Sequence, residues 1–132
     1  MKYMLLITVN HNSRDPPYKQ IYDQIVYSIS IGNLRKGDAI PPSRILAGTL
    51  DVNYHTVNKA YQQLRENGII SLSKRRRYVV TEGNRDTRSV DEFFLKEEEI
   101  IDDAIARGLR DQEIIEAVKK ILTARSKKRY GD

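Results

Sequence analysis

Cysteine is absent from the 132 residues, which excludes disulfides, thiolate metal sites and cysteine nucleophiles together. Tryptophan is absent too, and eight Tyr against two Phe carry the aromatic content. Histidine occurs twice; His55 has no second ligand pair nearby, so it is not read as a metal ligand. No long hydrophobic run is present. The apolar stretch Met4-Leu5-Leu6-Ile7 ends at Thr8 and Asn10, too short for a signal-peptide core or a membrane span. No membrane partner is expected, and the cytoplasm is the expected location. Phosphate-binding loops, nucleophile elbows and zinc-type spacings are all missing. The acidic clusters Glu97-Glu98-Glu99 and Asp102-Asp103 flank Ile100 and Ile101, the pattern of a wet helix face rather than of paired catalytic carboxylates. The expectation is therefore a protein that is not an enzyme and needs no cofactor.

What is present is the composition of a folded soluble chain, with 39% hydrophobic and 31% charged residues. Its length suits one core and a small appendage. The net charge of +5 is unevenly spread: residues 1–82 hold 12 Lys and Arg against 6 Asp and Glu, and residues 83–132 hold 11 against 12. A basic unit beside a nearly neutral one implies a polyanion-binding domain joined to a segment with another task.

Periodicity predicts the elements. Residues 5–9 read as a short strand, followed by the turn-rich Asn10-His11-Asn12-Ser13-Arg14-Asp15-Pro16-Pro17. Ile21, Tyr22, Ile25 and Ile29 then share one face of a first helix, stopped at Gly32-Asn33. A connector over residues 34–42 carries two apolar plugs, and Ser43 is expected as the N-cap of a second helix over about residues 44–50, with Ile45, Leu46 and Leu50 turned inward. The turn Asp51-Val52-Asn53 leads to a third helix whose apolar positions are Val57, Ala60, Tyr61 and Leu64, ending at Asn67-Gly68. Ile69-Ile70-Ser71-Leu72-Ser73, the basic turn Lys74-Arg75-Arg76-Arg77 and Tyr78-Val79-Val80-Thr81 predict a two-stranded wing. Residues 83–89 have linker composition. Beyond them, Val90, Phe93, Phe94, Ile100, Ile101, Ala104 and Ile105 trace one apolar stripe, and Leu109, Ile114, Ile115, Val118, Ile121 and Leu122 trace another, on either side of Gly108. Two such helices have too little core of their own, so their stripes require a cover, either the first domain or a second copy of the chain. The expected fold is mostly α with a small β wing: a helix-turn-helix followed by the wing over residues 1–82, a linker over 83–89, and a two-helix C-terminal segment over 90–130.

Several motifs in one order carry a resemblance. Pro16 or Pro17, Tyr18, Gln20 and Ile21 are followed by Gly32-Asn33-Leu34-Arg35-Lys36-Gly37-Asp38-Ala39-Ile40-Pro41, then Pro42-Ser43-Arg44, Leu46-Ala47, Val52, Thr56, Val57, Ala60, Tyr61, Leu64 and Gly68-Ile69-Ile70. Residues 16–82 thereby resemble the DNA-binding domain of the GntR family of bacterial and archaeal repressors. The short tail, with its helix-Gly-Leu-helix pattern at residues 106–114, is similar to the YtrA-like subfamily. The resemblance implies a winged helix-turn-helix repressor that dimerises through its tail.

The same resemblance implies the site. Arg44 stands at the family's base-contacting arginine, and a guanidinium can grip guanine O6 and N7 with two hydrogen bonds. Ser43 is a cap that also suits a phosphate. Asn53, Tyr54, His55, Thr56, Asn58 and Lys59 form the reading set of the third helix. Tyr54 and Asn58 stand where relatives often carry Arg, so no operator consensus transfers. Tyr54 suits a thymine methyl or a phosphate, and Asn58 suits adenine. Lys74, Arg75, Arg76 and Arg77 replace the glycine-rich wing turn of relatives, which leaves the turn geometry open while placing four cations for phosphates or a narrow minor groove. Arg35 and Lys36 are weaker phosphate candidates. Phe93, Phe94, Ile100, Ile101, Ile105, Leu109, Ile114, Ile115, Val118, Ile121 and Leu122 are the expected dimer interface. The expected partners are double-stranded DNA and a second copy of the chain. Effector control is left to a small pocket in the tail or to expression alone. The competing reading is a protein- or RNA-binding assembly module on a winged-helix scaffold.

Overall fold

The computed structural model describes residues 6–81 and 87–131. The chain divides into two compact units, Met1–Gly83 and Asn84–Asp132. The first holds α1 (Pro17–Ser30), α2 (Ser43–Leu50), α3 (Tyr54–Glu66) and the antiparallel pair β1 (Ile70–Leu72) and β2 (Tyr78–Val80). The second holds α4 (Thr87–Ala106) and α5 (Asp111–Tyr130).

Helix α1 begins where Pro17 supplies a preset φ and no orphan N–H. It buries Ile21 and Ile25 and ends with Gly32 at a φ of +83°. Both plugs of the connector, Leu34 and Ile40, are buried. In α3 the buried set is Val57, Ala60, Tyr61 and Leu64, the i, i+3, i+4, i+7 stripe of an amphipathic helix. These side chains meet Ile21, Ile25, Leu46 and Ala47, then Ile70 and Val80 from the wing, in one continuous core. Each large aliphatic side chain withdrawn from water contributes about 1.5–3 kcal/mol.

Tyr61 joins the parts of this unit. Its ring is 1% exposed. Its hydroxyl donates to the Pro41 carbonyl at 2.7 Å, across twenty residues of sequence. It also meets the Tyr78 ring edge-on, with centroids 5.5 Å apart and planes at 73°. One side chain of α3 thus ties the residue pair ahead of α2 and the first residue of β2 to the same helix.

Three features depart from the sequence-based expectation. Residues 6–10 form no strand, and Leu5 lies outside the described residues. Their backbone is bound instead by glutamine side chains one turn apart on α1. Gln24 accepts from the Thr8 N–H at 3.0 Å and donates to its carbonyl at 2.6 Å; Gln20 accepts from the Asn10 N–H at 2.8 Å and donates to its carbonyl at 2.9 Å. A primary amide presents the same donor and acceptor pair as a peptide, so β-branched residues here find amide partners without a neighbouring strand. Second, the connector runs along the wing as a third extended segment: Ala39 bridges Val79, Ile40 N–H donates to Tyr78 O at 2.9 Å and Val80 N–H to Asp38 O at 2.9 Å. Its turn-rich composition concealed this. Third, α4 begins at Thr87, so residues 87–89 are helical rather than linker. The polar residues Thr87, Arg88 and Ser89 have the composition of a linker as well as of a helix start.

Unit two consists of α4, a turn at Gly108 (φ +93°) and α5. Leu109 N–H returns to the Ala104 carbonyl at 3.0 Å, closing α4 in the manner of a Schellman cap. Glu113 accepts from the Arg110 N–H at 2.9 Å and opens α5. That bond, with a second from the Arg110 side chain, holds the Glu113 carboxyl below the usual carboxylate range. No residue of α5 is buried.

Replacing Tyr61 by Phe keeps the ring and removes the donor to a buried carbonyl. Urea unfolding is expected to show a loss of about 1–2 kcal/mol with an unchanged m-value, and a change below half that would show that the bond adds little.

Candidate nucleic-acid interface

The α2–turn–α3 geometry is set by three backbone devices. Asp51 closes α2 in the left-handed region at a φ of +55°, a conformation that Asp tolerates better than most residues. Val52 N–H donates to the Ala47 carbonyl at 3.1 Å, and the Val52 side chain packs against the core. Asn53 then caps α3, its Oδ1 accepting from the His55 N–H at 2.9 Å. Asn53 was assigned to the reading set; its carbonyl oxygen is committed to the helix, which leaves its amide N–H groups.

The first turn of α3 contains no acidic residue, so the positive end of the helix is uncompensated within the element. Val57 points into the core while His55 and Lys59 are exposed and Tyr54, Thr56 and Asn58 are half-buried. Arg44 reaches this turn from α2: its guanidinium carbon lies 4.2 Å from the centre of the Tyr54 ring. The Tyr54 and His55 rings are 4.2 Å apart at 32°. Lys59 places its ammonium 3.9 Å from the Tyr18 ring of α1. Arg44 and Lys59 thus each lie on a tyrosine face, of Tyr54 and Tyr18 respectively, contacts between elements that sequence spacing does not show.

Two expectations for α2 change. Ser43 is the first residue inside the helix, and Pro42 holds the cap position without a side-chain bond. With Pro42 already extended at a ψ of 145°, the helix begins one residue earlier than the cap preference of serine suggests. Ile45 is 56% exposed rather than inward; Leu46 and Ala47 take the buried face.

In the wing, Ser73 N–H donates to Arg77 O at 2.8 Å and Arg76 N–H to Ser73 O at 2.9 Å, so Lys74, Arg75 and Arg76 form a three-residue hairpin loop. The third loop position of such a hairpin needs a positive φ and usually takes glycine. Arg76 occupies it at a φ of +60°. Lys74, Arg75, Arg76 and Arg77 are all exposed, and among the described residues none of them forms an ion pair. Arg35 by contrast is partly engaged, donating through Nε to the Gly32 carbonyl at 3.2 Å, while Lys36 is exposed.

Between α3 and β2 lies an open hollow lined by Asn58, Gln62, Arg65, Glu66 and Tyr78. Sequence reasoning singled out only Asn58. The i+4 and i+7 spacing of Gln62 and Arg65 from Asn58 was the available signal. Among the described residues no group of His, Asp and Glu is arranged to hold a metal ion, and no helix is long and apolar enough to cross a membrane.

In the second unit the residues expected to form the dimer interface stand open. Phe93, Phe94, Ile100, Ile105, Ile121 and Leu122 are each more than half exposed, and Ile101, Leu109, Ile115 and Val118 are exposed as well. Ile114 alone among them is half-buried.

Residues 17–80 match the family model described as bacterial regulatory proteins, gntR family. The chain is 29% identical over 119 residues to the HTH-type transcriptional repressor YtrA of Bacillus subtilis (strain 168), covering 88% of this chain and 92% of that one. It is similar to the solved structure of YtrA from Sulfolobus acidocaldarius, a GntR-family transcription factor, with 38% identity, a TM-score of 0.62, and coverage of 89% and 97% of the two chains. It is also similar to the crystal structure of a transcriptional antiterminator from Listeria monocytogenes EGD-e, with 28% identity, a TM-score of 0.75, and coverage of 88% and 89%.

The left-handed arginine of the wing yields a stability prediction. Arg76→Gly relieves the side-chain penalty of the positive φ and adds chain entropy to the unfolded state, for a net gain of about 0.5–1 kcal/mol in thermal or urea unfolding. A loss of stability would mean that Arg76 side-chain packing holds the hairpin.

Proposed function

This chain belongs to the gntR family of bacterial regulatory proteins, DNA-binding regulators of transcription, and on that premise we propose that it is a repressor that binds a palindromic operator as a homodimer. The observation that carries the reading is the two-sidedness of α3. Val57, Ala60, Tyr61 and Leu64 are consumed by the core, while His55 and Lys59 face solvent beside an exposed Arg44. A helix held by one face with polar side chains and its positive end left outside suits entry into a major groove. Arg44 with His55, Thr56, Asn58 and Lys59 then reads base edges beside Tyr54, Ser43 and the amide of Asn53 bind the backbone next to them, and Lys74, Arg75, Arg76 and Arg77 grip phosphates or the minor groove.

The homodimer reading is supported by the second unit. Its α4–α5 pair exposes Phe93, Phe94, Ile100, Ile101, Ile105 and Leu122, apolar surface of the kind that marks an interaction site. A second tail laid against the same stripe buries it and supplies two α3 helices, one for each half of a palindrome. Occupying the operator then blocks transcription, in the cytoplasm where the chromosome is. The likeness to the Listeria monocytogenes transcriptional antiterminator favours a second reading, an RNA- or protein-binding module. Competition of bound duplex by single-stranded and hairpin RNA separates the two.

Selection of bound sequences from random duplexes, with the mass of the free protein measured by sedimentation, tests the proposal directly. A palindromic consensus and a dimer mass are expected; no enrichment, or a monomer at micromolar concentration, refutes it. Arg44→Ala is expected to cost about 1–3 kcal/mol per half-site on the selected duplex and to relax one base position in each. Arg76→Gln should instead weaken binding to every duplex and lower the salt slope of the dimer by about two, one for each protomer. Ile101→Glu places a carboxylate in the tail stripe and is expected to yield a folded monomer that binds half-sites weakly.

A further inference from the structure

We infer that Tyr54 is a specificity-determining positioning residue, whose ring face holds the Arg44 guanidinium in the orientation that reads the operator. The inference rests on the DNA-binding reading above and goes beyond it, because it assigns Tyr54 to the arginine rather than to a base or a phosphate. The guanidinium carbon of Arg44 is 4.2 Å from the Tyr54 ring centre, within the range of a cation–π contact. The ring is itself fixed. Tyr54 is the first residue of α3, directly after the Asn53 cap, is half-buried against the core and packs on the His55 ring. Among the described residues no carboxylate pairs with Arg44.

That choice of partner matters. A carboxylate orients arginine by occupying its N–H groups and cancelling its charge, whereas an aromatic face stacks on the plane of the guanidinium and leaves its N–H edge and its charge available. A long side chain held this way loses less rotamer freedom on binding. The contact joins α2 to the first turn of α3, so the arginine and the reading helix are aligned as one rigid unit. Lys59, resting 3.9 Å from the Tyr18 ring, uses the same device.

The test uses the full chain and the duplex recovered by selection from random DNA, beside one random duplex. Tyr54→Leu is expected to weaken binding to the selected duplex about three- to tenfold, to leave random-duplex affinity within about twofold, and to add no further loss once Arg44 is Ala. Tyr54→Phe keeps the face and removes the hydroxyl, and is expected to match the wild type. Losses of Tyr54→Leu and Arg44→Ala that multiply, or a loss in Tyr54→Phe equal to that in Tyr54→Leu, overturn the inference, the latter by giving the hydroxyl a direct contact. If Tyr54→Leu unfolds, Tyr54→Gln takes its place in the same cycle with Arg44→Ala, and the same outcomes are read. A wild-type chain that selects no sequence overturns both this inference and the proposed function; a selective chain with an independent Tyr54 overturns this one alone.

Discussion

The hydrogen bond from the buried Tyr61 hydroxyl to the Pro41 carbonyl is the constraint on which the geometry of the first unit depends. It fixes α3 against the residues that launch α2, so the angle between the two helices is held from inside the core rather than by the surface turn alone. The edge-on packing of the same ring on Tyr78 extends that control to the wing. A buried donor and acceptor tolerate little misalignment, because leaving either unpaired costs more than the pair gains. Arg44, the first turn of α3 and the wing are three surface features whose spacing is referred to one interior side chain.

Among the described residues, Arg44, Lys59 and the cations of the wing have no carboxylate partner. Arg44 and Lys59 are oriented by tyrosine rings, and the four cations of the wing stand exposed. Where acidic residues do form ion pairs, they lie elsewhere: Asp15 and Asp23 with Lys19, Asp103 with Arg107, Glu113 with Arg110. Exposed pairs of this sort add little stability. Their placement leaves the basic excess of the first unit available to a polyanion, and the left-handed φ of Arg76 keeps a charged side chain at a loop position that glycine would fill with less strain.

Much of this was legible beforehand because it is local. Helices α1 and α3 and the two tail helices follow from apolar spacing over stretches of ten to twenty residues, with Pro17, Gly32 and Gly108 as stops and starts, and the short wing strands from apolar runs on either side of a basic turn. What was misread is also instructive. Residues 6–10 carry strand-like side chains, but a strand is defined by its partner, and here the partners are Gln20 and Gln24. Ile45 fits an inward pattern, yet an eight-residue helix has room for one narrow buried face, taken by Leu46 and Ala47. The extended segment at Ala39 lay hidden in a connector because its pairing strand, β2, is forty residues away.

The amino-acid sequence alone determined the order of the elements, the buried stripe of α3, the basic excess of the first unit and the ordered motifs that resemble the family. Each depends on residue type and on separations of a turn or two. Only the tertiary structure decided that Arg44 lies on Tyr54, that Lys59 lies on Tyr18, that Tyr61 reaches Pro41 and that the tail stripes stand open. Those contacts join side chains on different elements, and their distances depend on helix orientations set jointly by a left-handed Asp51, a capping Asn53 and the packed core, which no periodicity in one dimension encodes.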